Sequence, residues 1–270
     1  MTRASIFLGI AAIAAFAAPS QAQLNDQWAS FTKDAARLPA GPGSVSTPDT
    51  EVDFAWGDLD KDGDIDVIAV RKEHYTSPGR RTNILLMNEG GILVDRTSTL
   101  ATASDVPGDN GFLTPTNDRD VVFADFDGDG WLDVITATTL SDGLSKALGH
   151  PRIHMNLGND GSGNWLGLRY EESRIPQLLH YGTGLPENPR FCSVAAGDVT
   201  GNGLPDLYFG DYDSSGSSGS GQPANKDLND RLLINDGNGF FTDQSQLRMT
   251  TAMLKSAFGN SVAIRDFNQD

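Results

Sequence analysis

The sequence predicts an all-β fold made of four-stranded antiparallel blades. Two observations predict it: a short acidic motif recurs along the chain, and strand-like segments recur around it in the same order. The first aspartates of the four motifs are Asp58, Asp125, Asp198 and Asp266, which are 67, 73 and 68 residues apart. A period of this size is typical of a protein built from repeated structural units.

Four strand-like segments accompany each complete motif. The first segment precedes the motif and the second follows it directly, and alternation together with β-branched residues marks both as strands. Asn-x-Gly triplets that begin at Asn88, Asn156 and Asn235 supply turns between the third and fourth segments. The predicted strands lie within 52–58, 65–71, 83–90 and 91–98, then 120–126, 132–139, 152–159 and 164–173, then 192–198, 205–211, 231–238 and 239–245, and finally 261–267.

Four short strands in each repeat are typical of the blades of a β-propeller. A blade cannot bury both of its faces alone, so neighbouring blades must stack on it. A β-solenoid is the structural alternative, although its coils are usually much shorter than these repeats. We expect three complete blades and the start of a fourth, at about 53–118, 119–189, 190–257 and 258–270.

The N-terminal region reads as a targeting segment. Residues 1–22 combine Arg3, an apolar run over 6–18 and small residues at Ser20 and Ala22, which is typical of a secretory signal peptide cut after Ala22. An uncleaved membrane anchor is the alternative, but the apolar run is shorter than the ~20 residues of a membrane span. We therefore expect the mature chain to be secreted, in an extracellular or periplasmic location.

Residues 23–52 follow the targeting segment and contain a predicted strand and a linker. The stretch 28–38 resembles the fourth strand of the third repeat, so it either completes the last blade of a ring or belongs to the linker. A second irregular stretch, 213–227, is rich in Ser and Gly and predicts a solvated insertion between two strands.

Composition narrows the function classes. The net charge of -16 argues against a nucleic-acid partner, which needs clustered Lys and Arg, and favours cations. The single cysteine, Cys192, permits no internal disulfide and lies in an apolar alternating run, so we expect a buried thiol.

The four histidines, His74, His150, His154 and His180, lack metal-ligand spacing and are expected on the surface or in turns. No catalytic constellation is visible, and we expect a protein that is not an enzyme.

The acidic motifs match the needs of a hard cation. Oxygen-bearing residues at positions 1, 3, 5 and 9, with glycine at position 6 for a sharp turn and a backbone carbonyl at position 7, suit a cation with six to eight oxygen ligands. Ca²⁺ fits better than Mg²⁺, which tends to keep several waters. Asp-rich turns without a metal are the alternative. The candidate ligands are Asp58, Asp60, Asp62, Asp64 and Asp66 in the first loop, Asp125, Asp127, Asp129, Trp131 and Asp133 in the second, Asp198, Thr200, Asn202, Leu204 and Asp206 in the third, and Asp266, Asn268 and Asp270 in the fourth.

Other calcium loops fit less well. An EF-hand needs a bidentate Glu at position 12, where this chain has Ala69, Thr136 or Phe209, and it needs a following helix where this chain predicts a strand. The third loop has only two carboxylates among its candidate ligands, so we expect its affinity to be the weakest of the three complete loops.

The strand, the D-x-D-x-D-G-x-x-D loop and the second strand together resemble the FG-GAP repeat of integrin α chains, also called the VCBS repeat. The terminal "FGNSVAIRDFNQD" has the family's order of Phe258-Gly259, Ser261-Val262-Ala263 and the start of the loop. The resemblance covers most of residues 53–270 and implies a seven-bladed propeller, Ca²⁺ in the loops, and an extracellular role in adhesion or carbohydrate contact. The Phe-Gly pair is missing from the first two repeats, which is similar to bacterial-type variants of the repeat.

The resemblance implies a secreted calcium-binding interaction or adhesion module with an extracellular protein or carbohydrate ligand. Two alternatives stay open: the propeller scaffold of an enzyme that acts on extracellular polysaccharide, and a structural spacer. Activity on polysaccharide would favour the first, and inert behaviour in binding screens would favour the second.

Overall fold

Three sheets form the described architecture, and four antiparallel strands in each sheet pair in the order in which they follow one another along the chain. The computed structural model describes residues 34–37, 50–73, 79–211, 229–255 and 261–267. The chain divides into two parts, Met1–Ala35 and Ala36–Asp270, and the three sheets of the described residues lie in the second. Sheet 1 contains β1 (Thr50–Gly57), β2 (Asp66–Glu73), β3 (Ile84–Asn88) and β4 (Leu93–Asp95). The strands and their antiparallel pairing in this sheet agree with the sequence-based assignment, and the fold is all-β.

The other two sheets repeat this topology. A short helix, α1 (Thr97–Leu100), and a two-residue strand, β5 (Ala103–Ser104), follow sheet 1. Sheet 2 contains β6 (Asp118–Ala124), β7 (Asp133–Thr138), β8 (Arg152–Asn156) and β9 (Leu168–Tyr170), with α2 (Lys146–Gly149) before β8. Sheet 3 contains β10 (Phe191–Gly197), β11 (Asp206–Asp211), β12 (Arg231–Asn235) and β13 (Phe241–Asp243), and α3 (Ser245–Arg248) and α4 (Thr251–Leu254) follow it.

Sheet 2 differs from the prediction because it has a fifth strand. β5 leaves the end of sheet 1 and pairs in parallel with β9, through Ala103 opposite Arg169 and Ser104 opposite Tyr170. Its backbone groups are thereby satisfied by the edge of the neighbouring sheet. The connection between the two sheets is therefore itself part of a sheet.

Two hydrophobic cores lie between the sheets. One joins sheets 1 and 2 and contains Ile68, Leu85 and Val134. The other joins sheets 2 and 3 and contains Ile135, Phe209 and Leu233. Because β7 is covered on both faces, all of its residues are buried, which explains its near-continuous apolar and β-branched sequence.

The segment 261–267 was predicted as the first strand of a fourth repeat, and this prediction is wrong for the described structure: no strand is assigned there. In each sheet the first strand hydrogen-bonds to the strand that follows its acidic loop. Among the described residues, no strand is paired with 261–267, and such pairing is what defines a strand in the three sheets.

Several predicted features lie outside the described residues. These are the signal peptide 1–22, most of the N-terminal segment 23–52, His74, the insertion 213–227, and the candidate ligands Asn268 and Asp270. Within the segment 28–38, which was expected to form an outer strand, the described part contains a 3-10 turn at Ala35–Arg37.

The histidine prediction is wrong at His154, which is buried within a strand, whereas His150 is buried but lies in a bend directly after α2. His150 Nε2 accepts a hydrogen bond of 3.0 Å from the Leu178 N–H. His154 lies in β8, with its ring 4.5 Å from Phe112 and 5.5 Å from Tyr170 between centroids. Because all five residues of β8 are buried, the strand has no solvent face, and His154 lies in the interior where a surface residue was expected. Cys192 is buried in β10 as predicted, and burial raises the pKa of its thiol to about 12.

The buried His154 makes stability sensitive to acid. Burial, together with the neighbouring Arg152 guanidinium, lowers the pKa of His154 well below its ordinary value, so the folded chain keeps the ring neutral. The unfolded chain takes up a proton below a pH of about 6.5, which favours unfolding by up to ~1.4 kcal/mol per pH unit. We predict that the unfolding free energy of the wild type falls, relative to that of His154→Leu, as the pH drops from 7.5 to 5.5.

Urea denaturation of both proteins in chelator at the two pH values checks this prediction. The chelator keeps any cation effect out of the comparison, and the difference between the proteins cancels the titration of every other group. Parallel pH dependences for wild type and His154→Leu would contradict it.

Candidate metal centres

Three acidic loops connect the first and second strands of the three sheets. Loop 1 is 58–66, loop 2 is 125–133 and loop 3 is 198–206, and each begins directly after its first strand and ends in the first residue of the second. Antiparallel pairing of Gly57 with Asp66, and of Ala124 with Asp133, fixes the two ends of each loop side by side. The sheet register therefore brings positions 1 and 9 of each motif together.

The carboxylate at position 9 is buried and holds the loop closed. Asp66 Oδ2 accepts a hydrogen bond of 3.0 Å from the Leu59 N–H, and its Oδ1 accepts one of 2.9 Å from the Asn88 N–H. Asp133 bonds the N–H groups of Phe126 and Asn156 in the same way, at 2.9 and 2.8 Å. Burial raises the pKa of Asp66 to about 6 and that of Asp133 to about 7.

The carboxylate at position 1 organises the rest of the loop. Asp58 accepts hydrogen bonds from the N–H groups of Asp62 and Gly63, both at 3.1 Å. Asp125 accepts them from Gly128 and Gly130, at 2.7 and 2.8 Å. The loop backbone therefore curls around the side chain of its first residue.

Positions 1, 3 and 9 converge in two of the loops. One carboxylate oxygen from each of Asp58, Asp60 and Asp66 lies within 4.8 Å of the other two, and the same holds for Asp125, Asp127 and Asp133. Ca²⁺ holds oxygen ligands at 2.3–2.6 Å, so opposite ligands are about 5 Å apart. Each triad therefore has the donor chemistry and the spacing to share one hard cation.

The remaining predicted ligands are placed differently. Asp62 and Asp129, at position 5, are exposed, and each accepts a 2.8 Å hydrogen bond from the N–H at position 7 of its own loop. Asp64 and Trp131 occupy that seventh position and were predicted to contribute backbone carbonyls. The structure thus brings together three of the four carboxylates that were predicted as side-chain ligands in each of these loops.

Carboxylate crowding is visible in the middle of both triads. Burial, followed by the charges of Asp62 and Asp58, raises the pKa of Asp60. Burial and the charge of Asp129 likewise raise the pKa of Asp127. A divalent cation would relieve this repulsion, since it favours the ionised form of each carboxylate.

Loop 3 has the same backbone but fewer carboxylates. Asp206 is buried and bonds the N–H groups of Val199 and Asn235, at 3.0 and 2.9 Å. Asp198 is exposed and accepts hydrogen bonds from the loop, led by Gly203 N–H, which lowers its pKa. Thr200 and Asn202 stand at positions 3 and 5. In the start of the fourth motif, Asp266 is exposed.

Sequence reasoning missed a second conformational requirement of the loops. Position 6 has a positive φ, as predicted for Gly63, Gly130 and Gly203, but position 4 is left-handed as well. Gly128 and Gly201 accommodate this with φ of 75° and 74°, whereas loop 1 places Lys61 there with φ of 59°. The glycines at position 4 of loops 2 and 3 were the sequence feature that could have predicted this left-handed conformation.

In comparisons with known proteins, no family model matches the chain and no curated protein matches it. The resemblance to the FG-GAP repeat therefore stands on the loop residues and their order. Among the described residues, no helix has the length and apolar character that crossing a membrane requires.

The left-handed turn at position 6 predicts a backbone cost that is separate from packing. A methyl group added at Gly63 would meet nothing within 4 Å, so Gly63→Ala should be destabilising only through its φ of 94°, by about 1–2 kcal/mol. The matched control is Gly161→Ala, because Gly161 also has open space around it but no positive φ. Chemical denaturation in chelator measures both, and equal effects of the two substitutions would contradict the assignment.

Proposed function

We propose that this chain is a secreted, calcium-binding β-propeller of the FG-GAP type, which acts as an extracellular interaction or adhesion module. The observation that carries the proposal is the pair of carboxylate triads at equivalent places in loops 1 and 2. Their all-oxygen donor set fits Ca²⁺, and neither imidazole nor thiolate, which transition metals favour, is part of either triad.

The stacking of the first strands supports a propeller. β6 packs beside β1, where Phe123 and Leu132 lie close to Gly57, and Asp120 Oδ2 accepts a 2.7 Å hydrogen bond from Val194 N–H in β10. Ile264 lies against Gly197 of β10 in turn. Residues 261–267 thus continue the row of first strands, as the innermost strand of a fourth blade would.

A groove beside the connection from sheet 2 to sheet 3 supports an interaction role. Two adjoining cavities of about 380 and 360 Å³ share Gln177 and His180 in their walls. Leu179, Leu185 and Leu247 expose apolar surface around them. Apolar side chains beside polar ones are typical of surfaces that bind a partner.

Binding screens against glycans and extracellular matrix proteins test the interaction role. The proposal expects a ligand among these classes. Cleavage of an extracellular polysaccharide would replace it with the enzyme alternative, and inert behaviour in all screens would favour a spacer.

Calcium should stabilise the fold selectively. A cation that binds the folded chain alone adds about 3–4 kcal/mol for each occupied loop at a 100- to 1,000-fold excess over Kd. We predict that the thermal unfolding midpoint rises in excess Ca²⁺ and stays near the chelator value in excess Mg²⁺. Coincident unfolding curves in the three buffers would remove the calcium proposal.

The sign of the effect of Asp60→Asn separates a cation site from an ordinary acidic turn. Without a cation, this substitution removes a crowded, partly buried charge, so we expect a higher unfolding midpoint than in the wild type. In excess Ca²⁺ it removes a ligand, so we expect a lower one. Thermal unfolding of both proteins in chelator and in Ca²⁺ measures the reversal.

Asp64→Asn is the matched control, since it makes the same charge change in the same loop at a position expected to contribute only its backbone. It should keep the calcium-induced rise. The same sign of effect for Asp60→Asn in both buffers, or an equal loss in Asp64→Asn, would count against the proposed ligand set.

A further inference from the structure

We propose that Asn156 and Asn235 are positioning residues that couple cation binding in neighbouring loops, so that the loops bind cooperatively. This inference rests on the proposed cation sites. It concerns side chains that were predicted only as turn formers and that are not themselves ligands.

Asn156 connects loop 1 with loop 2. Its Nδ2 donates a 2.8 Å hydrogen bond to the carbonyl of Leu59, at position 2 of loop 1 in the neighbouring sheet, and one of 3.1 Å to Leu132 O in loop 2. Its backbone N–H donates to Asp133 Oδ1 at 2.8 Å. One residue therefore touches a loop 2 triad member and the segment between two loop 1 triad members.

The Asn156 side chain is itself held in place. Its Oδ1 accepts hydrogen bonds from Gly158 N–H at 3.0 Å and from Trp165 Nε1–H at 2.7 Å. Asn156 is buried, so the amide has a fixed orientation and all of these bonds form together. A shift of either loop would strain the contacts of the other.

Asn235 repeats the arrangement one sheet further on. Its Nδ2 donates to Phe126 O, at position 2 of loop 2, and to Pro205 O in loop 3, at 2.8 and 3.0 Å. Its backbone N–H donates to Asp206 Oδ1 at 2.9 Å. The same hydrogen bonds recur at two separate interfaces, which indicates that the connection between loops is part of the repeat.

A second repeated contact joins the same loops. The Lys61 ammonium, at position 4 of loop 1, lies 4.1 Å from the ring centroid of Trp131, at position 7 of loop 2. Leu204, at position 7 of loop 3, lies against Gly128, at position 4 of loop 2. Position 7 is the expected source of a backbone ligand, so each loop touches its neighbour at a cation-binding segment.

The physical consequence is a shared ordering cost. A cation fixes a loop by drawing its carboxylates to one distance, and a loop that is already held by its neighbour has less freedom left to lose. Filling loop 1 should therefore strengthen binding in loop 2, and filling loop 2 should strengthen binding in loop 1 by the same factor.

Asn88 provides a matched control within the chain. It occupies the equivalent turn of sheet 1, where its Oδ1 accepts a 2.8 Å hydrogen bond from Gly91 N–H. Among the described residues, its side chain makes no hydrogen bond to the loop of another sheet. Asn88→Ala and Asn156→Ala thus both lose a turn contact, but only the second loses a connection between loops.

Calcium titration calorimetry of the full chain tests the coupling. Asp60→Asn and Asp127→Asn each leave one intact triad. We expect the product of the two dissociation constants of the wild type to be about fivefold smaller than the product of those of the two single-loop variants. With Asn156→Ala added to all three proteins the ratio should fall to about one, and with Asn88→Ala it should stay near fivefold.

The outcomes separate the two proposals. If the wild type binds no Ca²⁺, the proposed function fails. If Ca²⁺ binds but the wild-type ratio is one, or if the fivefold ratio survives in Asn156→Ala, the coupling proposal is overturned and the calcium proposal stands. Should Asn156→Ala not fold, Asn156→Ser, which keeps a hydroxyl oxygen for the turn, replaces it in the same cycle with the same expected loss of coupling.

Discussion

The buried carboxylate at the end of each acidic loop is the constraint on which the rest of the structure depends. Asp66, Asp133 and Asp206 each accept one N–H from position 2 of their own loop and one from an asparagine at the end of the third strand. A buried carboxylate is costly unless its oxygens are bonded. The two hydrogen bonds to this carboxylate hold the acidic loop, the second strand and the third strand of each sheet together.

The same end of the sheet also contacts a neighbouring sheet. In sheets 2 and 3, the asparagine that bonds the buried carboxylate also uses its side chain to bond a loop carbonyl of the preceding sheet, as Asn156 does with Leu59 and Asn235 with Phe126. The apolar cores between the sheets supply nondirectional burial. The hydrogen bonds of Asn156 and Asn235 add a directional contact at the acidic end of each interface.

Local sequence patterns predicted most of the strands and the two triads. The features that these patterns did not predict depend mainly on contacts between residues distant in sequence. Alternation and Asn-x-Gly turns located the strands of all three sheets, and the aspartate spacing located both triads. The parallel pairing of β5, the burial of His154 and the bonds from Asn156 depend on residues far away in sequence, which no local pattern specifies. At residues 261–267 a local pattern predicted a strand that the structure does not assign, because a strand also needs pairing with a second strand. The left-handed backbone at Lys61 was not predicted, because non-glycine residues such as lysine rarely adopt a positive φ.

The central claim is that the two triads hold calcium, and the most direct test is to count the ions. Equilibrium dialysis of the full chain against Ca²⁺, over a range of free concentrations and with Mg²⁺ in excess, measures the stoichiometry. The account predicts two tightly bound ions per chain, with any ion in loop 3 bound more weakly. A folded chain that binds no Ca²⁺ under these conditions would contradict it.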